Sequence, residues 1–164
     1  MIRPVVRLPE RVLKQRALEV GRAHEQALVD DLIETMGASP ACVGLAAPQI
    51  GVPKRVIVVD VTEHPKTTVC HGLVALIDPV IVDASGKKVG REGCMSVPDL
   101  TADVARSEEV AISGKLPDGS STVIVTEGFE ARAFQHEIDH LDGMLILDRV
   151  SSLATDVFRR RTYK

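Results

Sequence analysis

The sequence predicts antiparallel β-sheets combined with a small number of helices. Short apolar segments between residues 55 and 127 alternate with turn-forming residues, which is typical of antiparallel strands. Asp118-Gly119 is followed by a β-prone segment at 120–127, which indicates a hairpin. A long helix is predicted to follow, from near Phe129 to Gly143, and it carries two histidines four residues apart.

The composition indicates one globular domain and argues against nucleic-acid binding. The chain has 164 residues, of which 45% are hydrophobic and 26% are charged. Because it has three Phe, one Tyr and no Trp, we expect an aliphatic core and no stacking on nucleic-acid bases. A net charge of −3 also argues against general polyanion binding, so no DNA partner is predicted.

The cellular compartment is predicted from three features. The N-terminal residues MIRPVVRLPERV lack the apolar core of a signal peptide. No apolar run reaches the roughly 20 residues that span a bilayer. Cys42, Cys70 and Cys94 are an odd number, which argues against a disulfide framework. We therefore expect a reducing cytoplasm and no membrane partner, and in that setting a cysteine is a metal ligand, a nucleophile or a small core residue.

Two helices are predicted in the first part of the chain. Residues 24–37 have the apolar periodicity of an amphipathic helix that ends at Gly37, and a shorter helix is predicted at 10–18. The predicted core face of the longer helix consists of Ala27, Leu28, Leu32 and Met36.

A buried strand is predicted at 55–61 and a loop at 62–72. The small residues that precede the strand, such as Gly44, allow another backbone to approach closely or form a tight turn beneath a helix. The loop contains His64, Cys70 and His71, but their spacing matches no metal site. Surface histidines and a packed cysteine are the favoured interpretation.

The second half is predicted to be rich in strands. Strand-like segments lie at 74–85, with a break at Asp78-Pro79, at 87–98 and at 103–113. After the long helix, residues 144–150 are predicted to be apolar and extended.

The segment QHEIDHLDG at 135–143 is the candidate catalytic motif. His136 and His140 are four residues apart, so on a helix their side chains share one face and can bind one transition metal. Glu137 lies about 100° round the helix from His136, where its carboxylate can reach a water on the metal. This is the H-E-x-x-H arrangement of metal-dependent hydrolases. The alternative is an ordinary amphipathic helix with two incidental histidines.

Cys94, in the segment REGCMSVP, is the candidate third ligand. A thiolate and two neutral imidazoles suit a borderline metal such as Zn²⁺ or Fe²⁺. Three protein ligands leave a position open for water, which is typical of catalytic rather than structural sites. The alternative is a half-buried small residue on a strand.

The remaining chemical roles follow from this arrangement. Glu137 would accept a proton from water and return it to the leaving amine. The oxyanion that develops needs preorganised donors, for which the Gln49 side-chain amide and the Met95 backbone N–H are candidates. Gln49 is equally consistent with a turn residue. The spacing therefore indicates a metal-assisted hydrolase of amide-like bonds without naming its substrate.

Three segments together resemble the peptide deformylase family. VGLAAPQIG at 43–51 resembles its first motif, EGCMS at 92–96 resembles its second, and QHEIDH at 135–140 matches its third. The motifs occur in the family's order and spacing, and Arg106, twelve residues after Cys94, also agrees. The resemblance covers roughly residues 2–150.

The resemblance implies an α+β fold, with antiparallel sheets packed around a central helix that carries the two histidines. It implies removal of the N-formyl group from the N-terminal methionine of newly made polypeptides, with release of formate. Cys94, His136 and His140 would be the metal ligands and Glu137 the general acid and base, while Gln49 and the Met95 amide would hold the formyl oxygen. The implied native metal is Fe²⁺, with Zn²⁺, Ni²⁺ or Co²⁺ able to occupy the site.

The expected substrate site combines main chain and helix residues. The resemblance implies that the main chain around Val43 and Gly44 pairs with substrate as a β-strand. Phe129, Arg132 and Ala133 share the metal face of the helix and are predicted to line a methionine pocket, Arg132 through its aliphatic stem. The alternative for Phe129 is a core residue.

Two positions depart from the family pattern. Cys42 stands where the family usually has a glycine, so a side chain would impair turnover if that position needs a positive φ or close packing on substrate. Met95 replaces Leu, which should be tolerated because the predicted role uses the backbone.

We divide the chain into a deformylase-like catalytic domain at 1–150 and a short basic tail at 151–164. The tail is predicted to form a last helix with Ser152 as its cap, and a solvated helix end is the favoured interpretation of its charge. In some family members the C-terminal extension contacts the ribosome, so Arg159–Arg161 leave a transient ribosome contact open.

Three functional hypotheses remain. The favoured one is an active deformylase that acts on the N-formyl-Met peptides of nascent chains. The second is a related hydrolase of another N-acyl peptide, for which Cys42 and Met95 would reshape the pocket. The third is a metal-binding protein without turnover, against which the presence of Glu137 argues.

Overall fold

The computed structural model describes residues 1–160 and shows an α+β fold with two antiparallel sheets. The helices are α1 (Gln26–Gly37), α2 (Gly128–Leu141) and α3 (Ile146–Arg149). The strands are β1 (Gly44–Ala46), β2 (Val56–Val59), β3 (Val74–Ser85), β4 (Lys88–Cys94), β5 (Val97–Arg106), β6 (Glu109–Lys115), β7 (Ser121–Glu127) and β8 (Val157–Arg159). Single 3-10 turns lie at Arg11–Lys14 and Ala47–Ile50.

The larger sheet has five strands in the order β1-β2-β3-β6-β7. Strand β2 is buried on both faces, because Ile57 and Val59 pack towards α2 while Val56 and Val58 pack towards α1. The predicted buried strand at 55–61 is therefore confirmed. Strand β1 pairs with β2 on one side and forms the edge of this sheet.

The helix predicted at 24–37 is confirmed, although one predicted core residue is wrong. Leu28, Leu32 and Met36 are buried, whereas Ala27 is exposed. Val29, two residues further along the helix, takes the place of Ala27 on the core face. The shorter helix predicted at 10–18 is reduced to the single 3-10 turn near residue 11.

The predicted break at Asp78-Pro79 is a bulge within one continuous strand, β3. Asp78 has a φ of 51°, and its carboxylate accepts hydrogen bonds from the backbone N–H groups of Val20 and Gly21 at 2.8 and 2.9 Å. These hydrogen bonds stabilise the bulge, so the strand continues past Pro79. The proline alone had indicated that the strand ends there.

The segment predicted as one strand at 103–113 contains the end of β5 and the start of β6. The hairpin predicted at Asp118-Gly119 is confirmed, since β6 and β7 pair in register from Glu109↔Glu127 to Lys115↔Ser121. Gly119 has a φ of 90°, a conformation that favours glycine.

The smaller sheet has the order β4-β5-β8 and corrects two predictions for the C-terminal part. Residues 144–150 are not extended, because α3 occupies most of the segment and buries Ile146. The tail is not a helix capped by Ser152, because β8 pairs with β5 through Thr101↔Phe158 and its neighbours. Arg161 lies outside the described residues. None of the helices in the described range 1–160 combines the length with the apolar composition that a membrane span requires.

Candidate active site

Helix α2 places the predicted catalytic residues between the two sheets. Ala131, Phe134 and Ile138 are buried on the side that packs against the five-stranded sheet. The other side of the helix faces β4 and β5 and carries His136 and His140. Gly128 begins the helix with a φ of 65°, so the chain turns from β7 directly into α2.

Cys94, His136 and His140 form one cluster in the structure. One potential ligand atom from each residue lies within 4.8 Å of the other two. The Sγ of Cys94 is 3.4 Å from Nε2 of His140, and the two imidazole centroids are 5.1 Å apart. Cys94 arrives there because it ends β4 and pairs with Val97 across a two-residue turn. A thiolate and two imidazoles fit a borderline divalent metal.

The electrostatics of the cluster favour the ligand form of the cysteine. Burial raises the pKa of the Cys94 thiol, but the imidazoles of His140 and His136 outweigh burial and hold that pKa well below its usual range. Burial lowers the pKa of His136, while its hydrogen bonds to Cys94 and Glu92 raise it well above its usual range. The direction of this shift favours the thiolate, which is the form that binds metals.

A buried ion-pair network fixes the orientation of His136. Glu92 accepts a 2.8 Å hydrogen bond from Nδ1 of His136, which leaves Nε2 to face the cluster. The same carboxylate accepts two bonds from Arg106 at 2.9 and 3.0 Å and one from Arg132 at 2.6 Å. Arg106 also pairs with Asp139 of α2, so β4, β5 and the metal face of the helix are joined.

We expect Glu92→Gln to weaken both the fold and the metal site. Loss of the charge leaves Arg106 and Arg132 short of a buried partner, which should lower the free energy of unfolding by about 3 kcal/mol. A neutral amide oxygen accepts a weaker bond from His136 than the carboxylate does, so metal binding should weaken by up to about 10–100-fold. Urea unfolding with a chelator present measures the first effect, and metal competition measures the second.

The matched control for Glu92→Gln is Glu109→Gln, because Glu109 is exposed on β6. An ordinary surface substitution changes the free energy of unfolding by no more than about 0.5 kcal/mol. A change that small for Glu92→Gln would contradict the stabilising role of the ion-pair network.

Gln49 lies against the cluster of Cys94, His136 and His140 and is also a turn residue. It is buried in the 3-10 turn, where its side-chain oxygen accepts a 3.0 Å bond from the N–H of Ala46. Its Nε2 is directed at Sγ of Cys94, 3.7 Å away, and at the Ser96 hydroxyl, 3.2 Å away. The turn interpretation of Gln49 is therefore confirmed, and the same turn directs its amide at the cluster, while its role as an oxyanion donor stays a prediction.

Glu137 is held against strand β1. It is 5% exposed, and a Cβ added to Gly44 would lie 2.8 Å from its Oε1. Gly44 is therefore needed for space rather than for an unusual backbone conformation. Among residues 1–160, Oε2 of Glu137 has no hydrogen-bond partner. Burial raises the pKa of this carboxyl, although the nearby His136 and His140 partly oppose the shift. A raised pKa suits a group that accepts and returns a proton near neutral pH.

A cleft of about 1040 Å³ opens onto the cluster. The predicted metal ligands Cys94 and His136 line it, together with Glu137 and Gln49. The predicted oxyanion and substrate residues line it as well: Val43, Gly44, Met95, Phe129, Arg132 and Ala133. The cleft is large enough for a peptide segment rather than a single small group.

Two residues of the predicted methionine pocket have further contacts. Phe129 is half-buried, packs on the hydrophobic core and stacks on His64 with ring centroids 4.0 Å apart. It therefore lines the cleft and also contributes to the core. The guanidinium of Arg132 is occupied by Glu92, the Val104 carbonyl at 2.9 Å and the Lys88 carbonyl at 2.7 Å. The stem of Arg132 is thus the part available to the cleft.

Cys42 lines the cleft without backbone strain. Among non-glycine residues in the described range, positive φ values occur at Ala41 and Asp78 and not at Cys42. The Cys42 thiol donates to the Gly44 carbonyl at 3.1 Å. Burial, with a smaller contribution from the charge of Glu137, raises the pKa of Cys42 to about 12.

We expect Cys42 to resist alkylation at neutral pH. A pKa of about 12 instead of 9.0 lowers the reactive thiolate fraction about 1000-fold. Iodoacetamide at pH 7.5 should therefore label the exposed Cys70 well before Cys42, and labelling of Cys42 should increase as the pH is raised. Peptide mass spectrometry over time measures both rates, and equal rates would contradict the burial of Cys42.

Several residues that support the site could not be recognised from the sequence. Glu92 and Asp139 fall inside the quoted motifs, and Arg106 agrees with the family pattern, yet spacing alone gave none of the three a role. In the loop at 62–72, the His71 backbone N–H donates to the fully buried Glu130 at 2.7 Å, and the His71 ring contacts the same carboxylate. The loop is therefore fastened to the first turn of α2. A charged residue on the core side of a helix, such as Glu130, was the available signal.

Comparisons with known proteins agree with this geometry. A family model described as polypeptide deformylase matches residues 2–156. A peptide deformylase of Acidobacterium capsulatum is 42% identical over 168 residues, which cover 100% of this chain and 95% of the relative. A peptide deformylase of Thermodesulfovibrio yellowstonii is 40% identical over 159 residues, with coverage of 96% and 94%.

Solved structures show the same fold. The crystal structure of class I type b peptide deformylase from Acinetobacter baumannii with Met-Ala-Ser bound has a TM-score of 0.84 and 34% identity, and covers 91% of this chain and 99% of that chain. The crystal structure of peptide deformylase from Thermotoga maritima has a TM-score of 0.83 and 35% identity, with coverage of 93% and 99%.

Proposed function

The chain belongs to the polypeptide deformylase family, and from this membership we propose that it removes the N-formyl group from the N-terminal methionine of newly made polypeptides and releases formate. The observation that carries the proposal is the cluster of Cys94, His136 and His140 with Glu137 beside it in a peptide-sized cleft. We propose that the protein acts in the cytoplasm, on formylated nascent chains.

The proposed metal ligands are Cys94, His136 and His140. The donor set supports a divalent ion, natively Fe²⁺, with Zn²⁺, Ni²⁺ or Co²⁺ able to take its place. When bound, such an ion polarises a carbonyl oxygen and lowers the pKa of a water molecule towards 7. His136 contributes a fixed orientation to the site, because Glu92 holds its other nitrogen.

The proposed acid and base is Glu137. Its buried Oε2 has no hydrogen-bond partner among residues 1–160, so this oxygen is free to accept a proton from water and to deliver one to the leaving amine. The Gln49 amide and the Met95 backbone N–H would donate to the formyl oxygen as charge develops on it. The hydrogen bond that the Gln49 side-chain oxygen accepts from the Ala46 N–H fixes the orientation of the amide for that role.

The proposed peptide site runs along strand β1. Because β1 is the edge of its sheet, the main chain at Val43 and Gly44 can add an extended peptide as a further strand. Phe129, Ala133 and the stem of Arg132 would surround the methionine side chain. The relative from Acinetobacter baumannii with Met-Ala-Ser bound supports a peptide that begins with methionine. Contact of Arg159–Arg161 with the ribosome stays a prediction.

The test is formate release from a formyl-Met tripeptide, with protein purified anaerobically and loaded with Fe²⁺ or Ni²⁺. We expect formate to be released while the matched acetyl-Met tripeptide stays intact. Cleavage of the acetyl peptide in preference would favour a hydrolase of other N-acyl groups. No cleavage of either peptide, with one metal bound per chain, would favour a metal-binding protein without turnover.

A further inference from the structure

Basic side chains surround the opening of the cleft. The cationic residues that line it are Lys66, Arg91, Arg132, Arg159 and Arg160. Its acidic lining residues are Glu92 and Glu137, which are 7% and 5% exposed and lie at its deep end beside the metal cluster. The opening is therefore positive although the whole chain has a net charge of −3.

Two of these five cations already have acidic partners. Arg132 donates to Glu92 at 2.6 Å. Arg91 donates to Asp103 at 2.7 Å and lies over the Phe158 ring, 3.6 Å from its centroid. Because both guanidinium groups are already paired within the protein, they contribute little to binding a ligand at the opening.

The other three cations, Lys66, Arg159 and Arg160, are exposed. No carboxylate of residues 1–160 comes within ion-pair distance of any of them. They come from separate segments, since Lys66 belongs to the loop at 62–72 and the two arginines to the C-terminal strand. We call these three residues the basic rim.

The pairing of β8 with β5 fixes the position of the two arginines. Arg159 is opposite Leu100, and the backbone N–H of Arg160 donates to the Asp99 carbonyl at 2.9 Å. The guanidinium of Arg160 lies over Gly93, where a Cβ would collide with it. Since Gly93 directly precedes Cys94, this cation is next to the proposed metal ligands rather than at a remote surface.

We propose that the basic rim is a substrate subsite that selects nascent peptides carrying acidic side chains shortly after the formylated methionine. The inference rests on the proposed function. An extended peptide advances about 3.3 Å per residue, so residues beyond the methionine leave the cleft past this rim. Charge complementarity of this kind sets specificity and association rate more than it sets overall affinity.

The experiment compares amidated formyl-Met-Ala-Ala-Ala peptides in which one alanine at a time is replaced by Glu or by Lys. At the position nearest the rim, we expect kcat/KM to be about fivefold to tenfold higher for Glu than for Lys at low salt, as expected for two exposed ion pairs. The ratio should fall to about twofold or less in 1 M NaCl, where the screening length is about 3 Å.

The variant is Arg159→Gln with Arg160→Gln, and its matched control is Arg11→Gln with Arg22→Gln, which removes the same charge from exposed residues outside the cleft. We expect the Glu-to-Lys ratio to fall towards 1 in the first protein and to stay at the wild-type value in the second. Lys66→Gln should lower the ratio by a smaller amount.

A ratio near 1 in the wild type at low salt, with formate still released, would overturn the subsite and leave the proposed function standing. A ratio that falls equally in the control would show that net charge, and not the rim, is responsible. If the double variant does not fold, Arg159→Gln and Arg160→Gln are tested singly, and a wild-type ratio in both would overturn the subsite. No formate from any of the formyl peptides would overturn the proposed function itself.

Discussion

Glu137→Gln is expected to lower formate release at least about 100-fold, the usual minimum contribution of general acid–base catalysis, while metal content stays at the wild-type level. The amide cannot accept the proton that the carboxylate is proposed to take, so the chemical step would lose its proposed base. The metal does not need this residue, because Cys94, His136 and His140 form the cluster without it. We therefore expect kcat to fall with little change in KM.

Glutamine is the informative substitution because of the packing around Glu137. The side chain fills the space against Gly44, so Glu137→Ala would remove buried contacts along with the carboxylate. The matched control is Glu127→Gln, which changes an exposed glutamate directly before the same helix. Full turnover by Glu137→Gln with one metal bound would contradict the proposed role of Glu137.

Much of the fold could be predicted because its strongest patterns are local. The helix from Phe129 and the strand β2 are each recognisable from one continuous segment. The β8 strand could not be predicted in this way, because it depends on the free edge of β5, more than fifty residues earlier in the chain. The helix α3 was missed for another reason, since a seven-residue apolar run such as 144–150 is ambiguous between strand and helix.

The cluster of Cys94, His136 and His140 could be predicted because metal chemistry restricts the choice of residues. Two histidines at helical spacing require a third ligand, and Cys94 is a suitable donor. The network around Glu92 and Arg106 has no comparable rule, because charged residues are usually solvated and the pairing is set by the tertiary structure. The same holds for Arg160, whose place beside Gly93 follows from β8 pairing.

Cys94→Ala is expected to remove both metal binding and activity. Without Cys94, two imidazoles remain, which is fewer than the three protein ligands typical of catalytic sites. Loss of a ligand's hydrogen-bond partner alone lowers metal affinity by up to about 100-fold. Loss of the ligand itself should therefore lower metal affinity by more than that. Metal content after gel filtration should drop from one per chain to near zero. Excess metal should not restore formate release, because the amide of Gln49 also loses the sulfur that it faces.

Two other cysteines provide matched controls for Cys94→Ala. Cys70→Ala changes an exposed cysteine outside the cleft, and Cys42→Ala changes one that lines the cleft but lies outside the cluster. Both should keep one metal per chain, so metal loss in Cys94→Ala alone would assign the sulfur ligand to Cys94. Retention of stoichiometric metal by Cys94→Ala would mean that another donor completes the site. In that case the lowered pKa of Cys94, which the two imidazoles cause, would need an explanation other than metal binding.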